Sequence, residues 1–437
     1  MSRTPRSKFC GSPEHAVSRR SFLGAAAGAA ALTTADMTVL DSLTQPAMAD
    51  ELKRQGKHVI LLWLAGGASQ LETWDPKPGR PTGGPYRAIP TSTPGVHISE
   101  LMPKMAQRLQ NTAIIRSLNT GNGSHGDAAR IMHLGRRDEA SIKYPDLGAV
   151  VARELGQADA KSPDYVAFYT ATEGRGNAYG QAGFLGARYL PMFLTKGNTP
   201  ENLSALEGLS DIDHKERAAL RELLSSRFVQ GRSGESLGSH NEAYARVRGL
   251  MSSETLFDVS QESDAMRDKY GRTLFGEQML IARRLVEAGT PFVKVSRAWW
   301  DSHGQNFETH LELVSELDHV MACLLDDLDD RGLLQDTLVV TLSEFGRTPT
   351  INGSLGRDHF AKAWSASLSG CGVNGGSVYG ETDEDGQTVK DGEIGAGDLF
   401  ATIYEALGIN HRKDYYVGSR PLPLTNPGTA PVKEVLA

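Results

Sequence analysis

The chain has 437 residues, 39% hydrophobic and 23% charged, with a formal net charge of −7. This is an ordinary globular composition with material for a large core, and the length admits one large α/β domain or two to three smaller ones. Net acidity without a basic, aromatic-interleaved stripe excludes nucleic acid as a partner, and Cys10, Cys323 and Cys371 form neither a metal spacing nor a disulfide framework.

At the N-terminus, Arg3, Arg6, Lys8, Arg19 and Arg20 precede an apolar Ala/Gly run over 22–32, and Ala47-Met48-Ala49 offers a small-x-small cleavage site before Asp50. Ser18-Arg19-Arg20-Ser21-Phe22-Leu23 resembles a twin-arginine export signal. Residues 1–49 are therefore expected to be a signal peptide, and 50–437 a periplasmic or extracellular protein. Removing 1–49 takes away five Lys/Arg and three Asp/Glu, leaving a net charge of −9. The apolar run is too short for a transmembrane helix, so no stable membrane span is expected after signal removal.

The mature chain alternates apolar runs with amphipathic segments. Continuous β-branched and aliphatic runs over 58–65, 112–118, 164–169, 291–296 and 338–342 read as strands, most of them buried on both faces. Between them, apolar spacing predicts helices over 98–109, 126–134, 144–155, 274–288, 307–328 and 398–407. Gly135, Gly289 and Gly332 stand where three of these should stop. Residues 365–380 suggest a further strand and a Gly-rich turn. The stretch 171–262, with charged helical patterns over 215–227 and 241–251, reads as an insertion in a single domain. Strands separated by helices predict an α/β fold with a doubly wound, mostly parallel sheet.

In such sheets ligands bind outside the carboxyl ends of the strands, and four predicted strand ends carry polar groups. The first is followed by Ser69, Gln70, Glu72 and Asp75, and the second by Ser124, His125 and Asp127. Trp299-Trp300-Asp301-Ser302-His303 follows the strand over 291–296. The strand over 338–342 is followed by Ser343-Glu344-Phe345-Gly346-Arg347 and then Arg357-Asp358-His359. Neutral imidazoles with charge-compensating carboxylates suit a borderline divalent cation. Two Asp/His pairings plus Glu344, all at strand ends, point to a polar ligand or metal site. Trp299 and Trp300 are expected to wall the sheet edge, His133, His310 and His319 to be structural or surface residues, and Asp326 to Asp330 to form a solvated helix end. The dinucleotide, P-loop and nucleophile-elbow fingerprints are all missing.

The segments LLWLAGGASQLETWDPKPG, WWDSHGQNF, LSEFGRTPTINGSLGRDH and SGCGVNGGSVYGETDEDG resemble the hallmark blocks of domain of unknown function family 1501, over about residues 56–410. That family is grouped with the alkaline-phosphatase and sulfatase superfamily. The resemblance implies an alkaline-phosphatase-like sheet sandwiched by helices, with one or two divalent metals, zinc first among them, at the strand ends. By position, Asp301, His303, Glu344 and His359 resemble metal ligands, with Phe345 replacing an expected His beside Glu344. Ala65-Gly66 stands where the first strand normally ends in an Asp, for which Glu72 or Asp75 would substitute. The nucleophile position falls on His125 with Ser124 adjacent, Arg347 would counter anionic charge, and Asp358 would be a near neighbour. The implied function is an exported metal-dependent hydrolase of sulfate or phosphate esters, on a small molecule or glycan. The alternative is a non-catalytic exported binding protein keeping the fold and a remnant site.

Overall fold

The computed structural model describes residues 51, 53, 55–157, 162–168, 180–194, 197–200, 211–229 and 254–437. The expected signal peptide, the helical pattern over 241–251 and much of the expected insertion lie outside them. The main sheet has eight strands: β1 (His58–Leu64), β2 (Thr112–Leu118), β3 (Tyr165–Phe168), β4 (Met192–Leu194), β5 (Phe292–Arg297), β6 (Thr337–Leu342), β7 (Trp364–Gly370) and β8 (Val378–Tyr379), in spatial order β8-β2-β7-β6-β1-β5-β3-β4. β1 is central because all seven of its residues are apolar or tightly packed, and each is buried. It pairs in parallel with both neighbours, Val59 lying opposite Phe292 of β5 and Leu338 of β6.

Alternate residues of β1 serve opposite cores. Val59, Leu61 and Trp63 pack against α1 (His125–Leu134), α2 (Leu147–Leu155) and a C-terminal helix over Ala396–Ala406. Ile60, Leu62 and Leu64 face a helix over Leu274–Glu287 and the long helix Asn306–Asp330. The result is a helix–sheet–helix sandwich, as the alternation of elements predicts. In chain order these become α3 (Asp211–Val229), α4 (Leu274–Glu287), α5 (Asn306–Asp330) and α6 (Ala396–Ala406). No helix among the described residues is long and apolar enough to cross a membrane.

α5 buries Leu313, Val314, Leu317, Met321, Leu324 and Leu328, spaced one face of a helix apart, while Leu311 points to solvent. Burying each such side chain contributes about 1.5–3 kcal/mol, so Leu317→Ala should cost about 2–5 kcal/mol. The helix ends where Gly332 takes φ 70°. Asp327 near that end is not solvated. It is buried and ion-paired with Arg283 (2.9 Å) and Arg331 (2.8 Å), which ties α5 to α4.

One predicted helix is replaced. Over 98–109 the chain forms a short strand (His97–Ser99), one helical turn (Pro103–Ala106) and a 3-10 turn (Leu109–Asn111). Proline at 103 keeps the preceding residue out of helical geometry, and the apolar spacing reflects burial of Ile98, Met102, Met105 and Leu109. The short turn is capped from outside: Asp318 of α5 accepts from the backbone N–H groups of Lys104 and Met105 at 3.1 and 2.7 Å.

The exception to parallel pairing is β7, which runs antiparallel to both β6 and β2. Its first residue, Trp364, lies beside Leu118 at the end of β2. The connection from β6 to β7 therefore leaves and returns at the same edge of the sheet, arching over the strand ends where β1, β2 and β5 also finish.

Candidate metal centre

Four connections converge on that edge. β1 ends in Ala65-Gly66-Gly67, the two glycines at φ 116° and 97°. Side chains do not fit here: a Cβ on Gly66 would stand 2.5 Å from the Asp301 nitrogen, and one on Gly67 would stand 2.7 Å from the Phe345 ring. The glycines thus let the β1 end lie directly against the β5 and β6 ends. β2 leads through 119–124 into α1, whose first residue is His125. β5 leads to Asp301 and His303, and the β6–β7 connection carries Glu344, Arg347, Asp358 and His359.

Asp301 is the hub. Its Oδ2 lies 3.0 Å from His125 Nε2, and its Oδ1 lies 3.1 Å from both His303 Nε2 and His359 Nε2. The Arg347 Nη2 donates to the same Oδ1 at 2.5 Å. Burial works to raise the Asp301 carboxyl, but hydrogen bonds from His125 and His359 and the Arg347 charge hold it well below the usual range. One donor atom each from His125, Asp301 and His359 lies within 4.8 Å of the other two, a grouping that fits a metal ion.

The imidazoles are oriented from behind. His125 Nδ1–H donates to Glu344 Oε1 at 2.9 Å, His359 Nδ1–H to the Gly123 carbonyl at 2.7 Å, and His303 Nδ1–H to Asp358 Oδ1 at 2.7 Å. With each Nδ1 committed to an oxygen, each Nε2 faces Asp301, where it donates its proton to that carboxylate or, once that proton is lost, offers its lone pair to a cation. That is the arrangement metal-ligating histidines adopt, the outer oxygen fixing tautomer and ring plane. His303 Nε2 and His359 Nε2 are 3.0 Å apart, and two lone pairs at that separation repel unless a proton or cation lies between them. Burial pulls the His125 imidazole down, yet its bonds to Asp301 and Glu344 outweigh burial and push it up to about 9. Three carboxylates (Asp301, Glu344, Asp358) outnumber the single Arg347 guanidinium. Without a cation the His125 ring carries a second proton at neutral pH, and a divalent cation would displace that proton and take up the remaining negative charge.

The remaining sequence-predicted residues are placed as follows. Glu344 is fully buried and also accepts from the Gly66 N–H at 2.9 Å, so it stands behind His125 rather than beside Asp301. Arg347 is fully buried; besides Asp301 it donates to the carbonyls of Gly66, Gly67 and Arg357, so its guanidinium braces the loop ends. Ser124 is exposed and its side chain makes no capping hydrogen bond to α1. Glu72 and Asp75 are not brought to Asp301. Glu72 is fully buried in an ion pair with Arg357 at 2.8 Å, and Asp75 holds Lys77 at 3.0 Å and the Thr382 hydroxyl.

Three features were legible in the sequence only as departures or not at all. The β1 end contributes backbone in place of a carboxylate, through the Gly66 N–H and the Gly66 and Gly67 carbonyls. Phe345 is fully buried, its ring 4.4 Å from His359 and 4.9 Å from His125, so it walls the site where a ligand His was expected. Trp299 has φ 80°, a conformation that costs a bulky residue on the order of 1–3 kcal/mol. Its neighbour Trp300 is fully buried against His310. His310 is structural, as expected: Nδ1 donates to the Asn306 carbonyl, Nε2 accepts from the Ser69 N–H, and burial lowers it to about 4.

Several solved structures are similar to this chain at low identity. Similar solved structures include the PsFucS1 sulfatase from Pseudoalteromonas sp., at 13% identity over 84% of this chain and 72% of that one, with a TM-score of 0.39. A protein in the alkaline phosphatase superfamily from Vibrio parahaemolyticus shares 11% identity over 84% and 75% of the two chains, with a TM-score of 0.31. The phosphonate monoester hydrolase of Agrobacterium radiobacter shares 13% over 86% and 76%, with a TM-score of 0.32. No curated protein matches the chain. The model of a family described as protein of unknown function (DUF1501) matches residues 56–436, and the chain belongs to that family.

Proposed function

We propose that this chain is an exported hydrolase of sulfate or phosphate esters that depends on one divalent cation. The observation that carries the reading is the set of three Nε2 atoms facing Asp301, each ring held from behind through Nδ1 by an oxygen. Imidazole nitrogens with one carboxylate suit zinc first among the divalent ions. His125, Asp301 and His359 would hold the cation, with His303 at the open, half-exposed rim. When bound, such an ion acts as a Lewis acid toward an ester oxygen and lowers the pKa of a water.

The chain's own residues supply orientation. Glu344 fixes the His125 ring, Gly123 fixes His359, and Arg347 keeps Asp301 ionised and immobile. Phe345 excludes water from the sheet side of the two rings. His303, polarised by Asp358, is the group positioned to hold or move a proton at the solvent side.

The exposed, unengaged Ser124 favours water over a covalent serine as nucleophile. It equally favours the second reading, a binding protein with no turnover.

The test is metal analysis of purified, zinc-reconstituted protein followed by a panel of aryl sulfates and phosphate mono- and diesters. One equivalent of metal, lost in Asp301→Asn and His359→Ala, with metal-dependent turnover of an ester, is the expected result. Substoichiometric metal indifferent to both substitutions would sink the metal reading; full loading without turnover of any ester would establish the binding protein. Export is tested separately: Arg19→Lys with Arg20→Lys should retain the chain inside the cell, and unchanged secretion would refute the twin-arginine reading.

A further inference from the structure

Beside the metal centre, and not used by it, lies a groove of about 510 Å³ between the end of β5, the N-terminus of α4 and the first turns of α5. Its most exposed apolar wall is Trp299, 59% exposed. Facing the same space are Gln278, Arg297, Glu312 and Glu316. Gln278 is 98% buried, lines the groove and makes no side-chain hydrogen bond among the described residues. Its amide donor and acceptor are thus left for groups that enter the groove, and a ligand's hydroxyls match both. Arg297 is already ion-paired to Glu316 at 2.7 Å, while the exposed Glu312 has no cationic partner among the described residues.

We infer that this groove binds a neutral sugar unit of a glycan. The chemistry selects that class. Trp299 offers a flat aromatic face for the apolar face of a pyranose ring. The Gln278 amide and the Glu312 carboxylate offer donor and acceptor groups to its hydroxyls. The surplus carboxylate repels sulfated or acidic sugars and nucleotides alike. Trp299 is two residues from Asp301, so the Cα atoms of the groove wall and the metal centre are at most about 7.6 Å apart. Its left-handed backbone turns the indole outward, whereas Trp300 is buried and Asp301 enters the site. The groove does not depend on the metal reading, since none of its lining residues hydrogen-bonds or ion-pairs with the side chains of Asp301, His125 or His359.

The experiment is affinity electrophoresis of the full chain in gels containing xylan, galactan, mannan, mixed-linkage glucan or starch. Titration calorimetry follows with the hexasaccharide of any polymer that retards it. Retardation by at least one neutral polymer is expected, weakened at least tenfold by Trp299→Ala and by Gln278→Leu and kept within about threefold by Trp299→Phe. Binding should persist in chelator-treated protein and in His359→Ala, which separates the groove from the metal centre. The inference is overturned by retardation in none of these gels, by retardation in sulfated polymers only, by binding that vanishes on metal removal, or by a Trp299→Ala protein that binds as the parent does. Because Trp299 is exposed, its replacement leaves the core intact, and an unchanged thermal midpoint checks this.

Discussion

Glu344→Gln isolates the support behind His125. Gln occupies the same volume and keeps an oxygen that can accept from Gly66 N–H and His125 Nδ1–H, both at 2.9 Å in the parent. What disappears is the charge. Hydrogen bonds to an ionised acceptor contribute about 1.5–3 kcal/mol and neutral ones about 0.5–1.5 kcal/mol, so each bond weakens by roughly 1 kcal/mol. The bond to Gly66 affects stability alone. The bond to His125 sets how strongly its Nε2 donates, and a less basic ring binds a cation less tightly. Support of this kind is generally worth about 10–100-fold in metal affinity, or about 1.4–2.7 kcal/mol. We therefore expect zinc affinity to fall 10- to 100-fold with a destabilisation of about 1–2 kcal/mol, measured by competition with a chromophoric chelator and by urea unfolding of the metal-free protein. Equal zinc affinity in parent and variant, with the destabilisation present, would show that Glu344 supports the fold and not the ligand set.

Glu72→Gln strands Arg357, itself fully buried. Removing one partner of a buried ion pair costs about 3–5 kcal/mol, so a loss near 3 kcal/mol in urea unfolding is expected, with metal affinity unchanged; a fall in metal affinity without loss of stability would return Glu72 to the site. Lys294 is buried at 2.9 Å from His133 Nε2, and burial pushes it down to about 8, Asp146 acting against that trend. Its folded pKa is thus depressed from 10.5, and between these values the unfolded chain binds more protons, so stability rises with pH through that window by up to about 3 kcal/mol. The unfolding free energy of the parent relative to Lys294→Met should rise from pH 8 through 9 to 10, the loss of His125 protonation being common to both, whereas a difference that does not change with pH would refute the assignment.

Much of the fold was legible because its central strands are buried on both faces. A run such as Val59-Ile60-Leu61-Leu62-Trp63-Leu64 has few other destinations, and the 3.6-residue spacing of Leu317, Met321, Leu324 and Leu328 has only one. The same signal misled over 98–109, where apolar spacing recorded which residues are buried and not how the backbone runs between them. Strand direction in β7 was not written in its composition, since parallel and antiparallel central strands draw on the same residues. At the site, the residue types at strand ends pointed to one edge of the sheet, where the structure brings His125, Asp301, His303 and His359 together. They said less about which oxygen backs which ring, because that depends on the approach of β1 and β6, made possible by Gly66 and Gly67. Arg347 looked like a group for meeting anions, and only its burial shows four bonds directed inward.

The reversed direction of β7 bears on how such a protein can change over time. A parallel neighbour to β6 would have needed a crossover to the far edge, and any change in its length would have disturbed the helical layer. Here the chain from 343 to 363 is fastened at both ends to adjoining strands, Thr341 being paired with Ser367. Lengthening a loop so fastened is thermodynamically mild, about 0.6 kcal/mol for each doubling. The stretch around Gly353, Ser354 and Leu355 is exposed and lies apart from the anchoring residues Glu344, Arg347 and His359. Insertions on the N-terminal side of Ser354, clear of the Ser354 and Leu355 carbonyls that accept from the Gln305 and Asn306 N–H groups at the start of α5, would reshape the mouth of the site above an unaltered sheet.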